Sequence, residues 1–261
     1  MKALYTASTG MLAQELNVEV ISNNIANMRT PGFKQMRVDF QDLLYHNQRR
    51  SGAQSSDTGT IYPVGVQVGA GVQVAATPRV MTQGSLENTE KQLDVAIRGE
   101  GFFTIQLPDG NTGYTRDGTF ELSPDGTIVT NEGYTVSPGI TVPNNASSVV
   151  INDNGEVQAL VDGEGTAQVL GTLELTRFVN KEGLESIGDN LMIETAASGA
   201  PQTGAAGSDG YGTFLQGHLE IANVVAVREI SSLISAQRAY EMNSRVISAA
   251  DEMLAATSNL R

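Results

Sequence analysis

The sequence predicts an α+β fold. Long N- and C-terminal helices pair as a coiled-coil module, a central and mainly antiparallel β domain lies between them, and an extended loop or hairpin joins the parts. Three observations carry this. Apolar residues recur every seven positions at both ends of the 261-residue chain. Between about 95 and 215 the pattern switches to alternation of apolar and polar residues, broken by Asp-Gly pairs. The stretch "HNQRRSGAQSSDTGTIYPVGVQVGAGV" at 46–72 is rich in Gly, Ser and Gln and fits neither pattern.

The N-terminal helix is read over about 2–28. Leu4, Met11, Val18 and Ile25 lie seven apart, and Leu12, Leu16 and Val20 form a second stripe at spacing four. An apolar face this wide suits more than one neighbour. Three asparagines, Asn23, Asn24 and Asn27, interrupt it, although the Asn amide competes for backbone hydrogen bonds in a helix interior. Pro31 and Gly32 end the helix.

Segment 33–75 reads as an extended linker, with a hairpin around Val64 to Val74. The β domain spans 76–218. Its strands are "VAIRGEGFFTIQL", "GYTRDGTFEL", "GTIVTNEGYTV" and "SVVINDNGEV", with more in 171–195. Asp109-Gly110, Asp117-Gly118 and Asp125-Gly126 are hairpin signals, because Asp-Gly suits the tight turns whose twist matches the strands. The stretch "ASGAPQTGAAGSDGYG" at 197–212 reads as a flexible return loop.

The C-terminal helix is placed in 219–261, with Asn223 as a candidate N-cap. No Gly or Pro follows Asn223. Leu219, Ala226, Leu233, Tyr240, Ile247 and Leu254 fall at spacing seven, and Val246, Ala250 and Met253 form another stripe. A helix of roughly 37 residues is about 55 Å long. That length points to a coiled coil or helical array. With the N-terminal helix of 1–32 it reads as one helical module formed by both chain ends.

Composition excludes several functions. With no Cys, the chain has neither disulfides nor thiolate chemistry. The net charge of −13 opposes nucleic-acid binding and charge-driven binding to anionic lipid. No apolar run reaches the roughly 18 residues of a membrane span. The N-terminus does not read as a cleaved secretory signal. His46 and His218 lie in unlike contexts, so no zinc site is expected. The Gly-rich stretches "GEGFFT" and "GVQVGAG" lack the full phosphate-binding pattern. Asp153 in "INDNGE" is read as a turn residue rather than a calcium ligand. No catalytic, metal-binding or cofactor-binding residues are assigned.

"SNNIANMRTPGFK" resembles the N-terminal signature of the flagellar rod and hook (axial) proteins, and "SAQRAYEMNSRVISAADEML" at 235–254 resembles their C-terminal one. "LDVAIRGEGFFTI" and "GYTRDGTFELSPDGTIVTNEGYTV" resemble the β domain of the longer members. Within the family, segment 46–72 and "GLESIGDNLMIETAASGAPQ" favour a rod member carrying this insert over a hook subunit or a rod member without it. Ile25 and Pro31 depart from the commoner family residues. The rival from another class is a secreted monomeric β-rich enzyme or adhesin with helical extensions.

The resemblance implies a non-enzymatic structural subunit, exported by the flagellar apparatus without a cleaved signal. It polymerises into a rigid helical tube in the periplasm that transmits motor torque to the hook and encloses the export channel. Implied partners are further copies, proximal rod proteins, the hook protein, the surrounding P and L rings, and the export apparatus; nucleic acid, membrane insertion and cofactors are not implied. The stripes Leu4, Met11, Val18, Ile25, Leu233, Tyr240, Ile247 and Leu254 become subunit interfaces, with termini that order on assembly. Asn17 and Asn24 lie on roughly one face, and Asn17, Asn23, Asn24 and Asn27 are expected to set register across subunits. The alternative is that Asn23, Asn24 and Asn27 only terminate the helix and cap its carbonyls. Thr30, Pro31, Gly32 and Phe33 form an elbow, with Gly32 permitting the turn. Gln237, Arg238, Ala239, Tyr240 and Asn243 belong to the C-terminal motif, and Gln237, Ser244 and Asp251 mark a polar face. Gly52, Ala53, Gln54, Ser55 and Ser56 belong to a loop that bridges neighbours and stiffens the tube, with "VGVQVGAGVQV" suited to adding a strand to a neighbour's sheet edge. The alternative there is a disordered surface loop.

Overall fold

The computed structural model describes residues 2–54, 59, 61–161 and 167–259, with side chains described to 256 at the C-terminal end. The chain divides into two compact units. The first comprises 1–25, 36–78 and 225–261, and the second 26–35 and 79–224.

The first unit holds two helices and a ribbon. Helix α1 is Lys2–Ala26 and helix α2 is Ala226–Asn259. At 1.5 Å per residue α2 is about 51 Å long. It begins later than the heptad count indicates, because Leu219 lies in the strand His218–Glu220 of the second unit. Asn223 does not cap α2 either. Its side-chain oxygen accepts from the Gln35 N–H at 2.7 Å, and its nitrogen donates to the Val80 carbonyl at 2.8 Å.

The ribbon corrects the expected hairpin at Val64 to Val74. Val66–Gly69 pairs with Tyr45–Arg49, and Val72–Ala76 pairs with Asp39–Asp42, both antiparallel. The two valine-rich stretches therefore lie in tandem on one returning strand, and their partners lie across the loop. The pairing continues to the Gln54–Ile61 bridge. From 39 to 49 the two paired stretches span about 33 Å at 3.3 Å per residue, and Arg50 to Ala53 then closes a turn, the Ala53 N–H donating to the Arg50 carbonyl at 3.3 Å. This arm meets α1 at its root, where Thr9 Oγ1 approaches the Val72 N–H.

The second unit is built on an antiparallel sheet of seven strands. Their order is Glu185–Gly188, Leu191–Ile193, Thr112–Thr115, Phe103–Gln106, Thr135–Val136, Ile128–Thr130 and Phe120–Leu122. A three-stranded sheet of Ala146–Ile151, Glu156–Val161 and Ala167–Thr172 accompanies it, with three strand pairs. Phe102 and Phe103 show how "GEGFF" serves two cores, since successive strand residues face opposite ways. Phe103 joins Val95, Ile97, Ile105, Phe120 and Phe214 in the main core. Phe102 joins Tyr114, Phe178, Leu184 and Met192 in a smaller one.

Turn chemistry explains part of the meander. Asp109-Gly110 and Asp125-Gly126 join consecutive paired strands. Asp117-Gly118 is no hairpin: Asp117 Oδ1 accepts from the Thr119 N–H at 3.0 Å, and the flanking strands pair with other partners. Gly118 is required for close approach, because a Cβ there would sit 1.8 Å from the Val95 carbonyl oxygen. The expected return loop at 197–212 contains a strand, Gln202–Ala205, paired with Glu174–Arg177.

Candidate functional site

The elbow lies in the second unit. After α1 the Thr30 N–H donates to the Asn27 carbonyl at 3.1 Å, closing a turn, and Thr30 Oγ1 donates to Asn27 Oδ1 at 3.2 Å. Gly32 has φ +70°, and its N–H donates to the Glu220 carbonyl at 2.7 Å. A Cβ on Gly32 would lie 2.5 Å from the Asp117 amide nitrogen. Asn190 Nδ2 donates to the Pro31 carbonyl at 3.3 Å, and Phe33 is buried beneath the Arg79 guanidinium, 5.8 Å from its ring centroid.

Beside the elbow sits a buried charge cluster that the sequence did not reveal. Glu220 accepts from Lys34 Nζ at 2.5 Å, from Arg116 Nη1 at 3.2 Å and from the Gly84 N–H at 2.8 Å. Lys34 Nζ also donates to the Thr82 carbonyl at 2.9 Å, and Arg116 Nη2 to the Gly99 carbonyl at 2.8 Å. All three side chains are almost wholly buried. Burial lowers the Lys34 pKa below the ordinary lysine value despite the opposing Glu220 charge, and it lowers that of Arg116 likewise. Buried charges need such pairing, because an isolated charge in an apolar interior is costly. The cluster joins the elbow to three strand-end segments.

In the first unit the shielded faces of the helices differ from the large apolar stripes. On α1 the buried residues are Ala7, Ala13, Val20, Ile21 and Asn24. Leu4, Met11, Val18 and Ile25 flank them and are half-buried. On α2 the buried residues are Glu229, Ala236 and Ala250. Leu233 and Ile247 are half-buried, whereas Tyr240 and Leu254 are exposed. Within the C-terminal motif, Gln237 and Arg238 are exposed and Ala239 and Asn243 half-buried.

Asn24, expected to bond across subunits, is hydrogen-bonded within its own chain. Its Nδ2 donates to the Met36 carbonyl at 2.8 Å and to Glu229 Oε2 at 3.1 Å, and its Oδ1 accepts from the Met36 N–H at 2.9 Å. Asn17 Nδ2 reaches Gln14 Oε1 at 3.3 Å, and Asn23 is exposed. Both helices present large apolar groups outward. Val227 is 79% exposed, and Tyr5, Leu12, Ile230, Ile234 and Met242 are also exposed. On the arm, Leu44 is 89% exposed, and Tyr45, Val64, Val66 and Val68 are also exposed. Towards its tip the Gly52 N–H donates to the Tyr62 carbonyl at 2.8 Å, and the Ala53 carbonyl accepts from the Tyr62 N–H at 2.9 Å. Ser55 and Ser56 lie outside the described residues. Among the described residues no helix is long and apolar enough to cross a membrane.

Long helices with outward apolar rows, a nearly bare two-stranded arm and a well-packed β unit define a structural subunit that other chains complete. The family "Flagella basal body rod protein" matches residues 4–34, "Flagellar hook protein FlgE/F/G D1 domain" matches 96–159, and "Flagellar basal body rod FlgEFG protein C-terminal" matches 215–260. The chain is 55% identical to the flagellar basal-body rod protein FlgG of Caulobacter vibrioides over all of both chains. It is 45% identical to that of Buchnera aphidicola over 99% of each, and 46% identical to that of Agrobacterium fabrum over 99% of this chain and 98% of the relative. The chain belongs to the flagellar basal-body rod protein family. It is a structural subunit of the distal rod, not an enzyme, and it assembles with other rod and hook components of the basal body.

Proposed function

We propose that the chain polymerises through α1 and α2 into a rigid helical tube that carries motor torque to the hook. The helices pair as a coiled coil around the export channel, and the arm bridges adjacent copies and stiffens the wall. The P and L rings surround the tube. Proximal rod proteins adjoin one end of the tube and the hook protein the other, and the subunit arrives through the flagellar export apparatus.

The observation that carries this reading is the set of large apolar side chains exposed along α2, with Val227, Ile234 and Met242 towards one side and Leu254 on another. Large exposed apolar patches on a soluble chain mark interaction surfaces. The arm adds support, because an isolated two-stranded ribbon is marginal in water. Terminal helices with such faces order as neighbours cover them, which confines polymerisation to the growing tip.

Electron microscopy of the purified protein at rising concentration, with amide exchange over 1–30 and 220–261, tests this. The expected result is tubes whose terminal amides are protected only after assembly. A monomer at every concentration with both termini already protected overturns it.

A further inference from the structure

The two contacts described between α1 and α2 are made by small and polar side chains. On α2 the heptad-spaced set Glu229, Ala236, Asn243 and Ala250 is the shielded row. The row four residues on, Leu233, Tyr240, Ile247 and Leu254, is less covered. A seam rich in alanine buries surface but distinguishes poorly between one alignment and another a turn away. A polar residue at such a position is what specifies register.

Two contacts mark the alignment. Asn24 meets Glu229, and Gly10 meets Asn243 so closely that a Cβ on Gly10 would lie 2.9 Å from Asn243 Nδ2. The two contacts are fourteen residues apart on each helix and run in opposite senses, so they describe one antiparallel register. The Asn24 amide is held from behind by both backbone groups of Met36, which leaves its remaining donor aimed at Glu229. A slip of one turn moves the Glu229 carboxylate about 5.4 Å along the axis, beyond hydrogen-bond reach. In one direction it then faces the level of Val20 and Ile21, both buried aliphatic residues. A carboxylate there has lost the Asn24 donor in a more apolar setting.

We propose that Asn24 and Glu229 are positioning residues. They fix the register of α1 against α2 and so decide which apolar rows of α2 are offered to other copies. Only the assembly readout below rests on the polymerisation reading. The cross-link pattern is read in whichever state, tube or free chain, has the helices formed, so the two can fail separately.

The chain has no Cys, so engineered pairs report register cleanly. G10C/N243C reports the native alignment, and G10C/A239C and G10C/I247C report slips of one turn. Each pair is oxidised in the full-length protein at concentrations where far-UV circular dichroism shows the helices formed. Non-reducing electrophoresis then separates intrachain from interchain products. A hydrogen bond to a charged group corresponds to about tenfold or more in population. The native pair should therefore dominate by about that factor. N24L and E229L should erase the preference and raise the slipped pairs. E229Q, whose amide oxygen still accepts from Asn24, should keep it. The concentration needed for assembly should rise with N24L and E229L but not with E229Q. If the leucine variants lose helix, N24D decides the matter: it still accepts from the Met36 N–H but turns an oxygen towards both the Met36 carbonyl and Glu229, so native cross-linking falls, and N24D/E229Q, in which the glutamine amide donates to the new carboxylate, restores part of it. An unchanged native preference in N24L and E229L, or in N24D, overturns the proposal. So do native-pair products that are only interchain dimers.

Discussion

Glu220→Gln tests whether the buried cluster holds the elbow to the β unit. The carboxylate accepts from Lys34, Arg116 and the Gly84 N–H, and its side chain is fully shielded from water. Glutamine keeps the shape and one acceptor oxygen. It removes the one carboxylate in hydrogen-bond contact with both cations among the described residues, leaving Glu100 to offset them from further away, and its amide N–H₂ must face one of them. Removing one partner of a buried ion pair costs about 3–5 kcal/mol. A whole domain is stable by only about 5–15 kcal/mol. For a unit of this size the melting temperature should fall by roughly 6–20 °C. Urea unfolding below the assembly concentration, followed by far-UV circular dichroism, reads this as a lower midpoint with an unchanged slope. The combined change K34M/R116M/E220L, which removes every charge together, should recover most of the loss, because apolar replacements of buried ion pairs are often neutral or better. A loss under about 1 kcal/mol for Glu220→Gln would mean that the cations are solvated, and would refute the reasoning.

Three further outcomes follow from the geometry. Gly32→Ala should destabilise the second unit by at least about 1–3 kcal/mol, because it combines a left-handed φ with a clash against backbone that cannot rotate away; an unchanged urea midpoint would count against the elbow as described. The triple change V227E/I234E/V246E places charges on exposed α2 positions, so the isolated chain should change by no more than about 0.5 kcal/mol. Assembly followed by light scattering should then need about tenfold more protein or stop, and tubes at the wild-type concentration would show that another face makes the contacts. Finally, copies carrying a net charge of −13 repel, so sedimentation should show association strengthening between roughly 0.05 and 0.3 M salt; weakening with salt would point to ion pairs as the main contact.

Local signals in the sequence were read well, and non-local ones were not. Both helices, the stop at Thr30-Pro31-Gly32 and two of three Asp-Gly hairpins follow from periodicity and turn chemistry over a few residues. The pairing of 45–49 with 66–69 depends on a partner across the loop, and "VGVQVGAGVQV" looks as though it pairs with itself. The shielded row of α2 escaped because Ala236 and Ala250 are small and Glu229 is charged, so a search for large apolar residues passes over them. Lys34, Arg116 and Glu220 are scattered over 186 positions and look like ordinary surface charges. Asn24 is unusual for a helix interior, but its partners Met36 and Glu229 appear only once the chain has folded back.

The bond between Asn223 and Gln35 has a consequence for the order of folding. Asn24 and Glu229 are 205 residues apart, and closing a free loop of that length costs about 5 kcal/mol in chain entropy. A folded second unit already holds Gln35 and Asn223 2.7 Å apart. Only eleven residues on one side and six on the other then remain as tethers to the Asn24–Glu229 contact. Closing a loop of about 17 residues costs roughly half as much, a difference of about 2 kcal/mol. The β unit thus acts as a clasp that raises the local concentration of one helix at the other. A chain whose clasp is broken should have helices that are intact in sequence but slow to find each other.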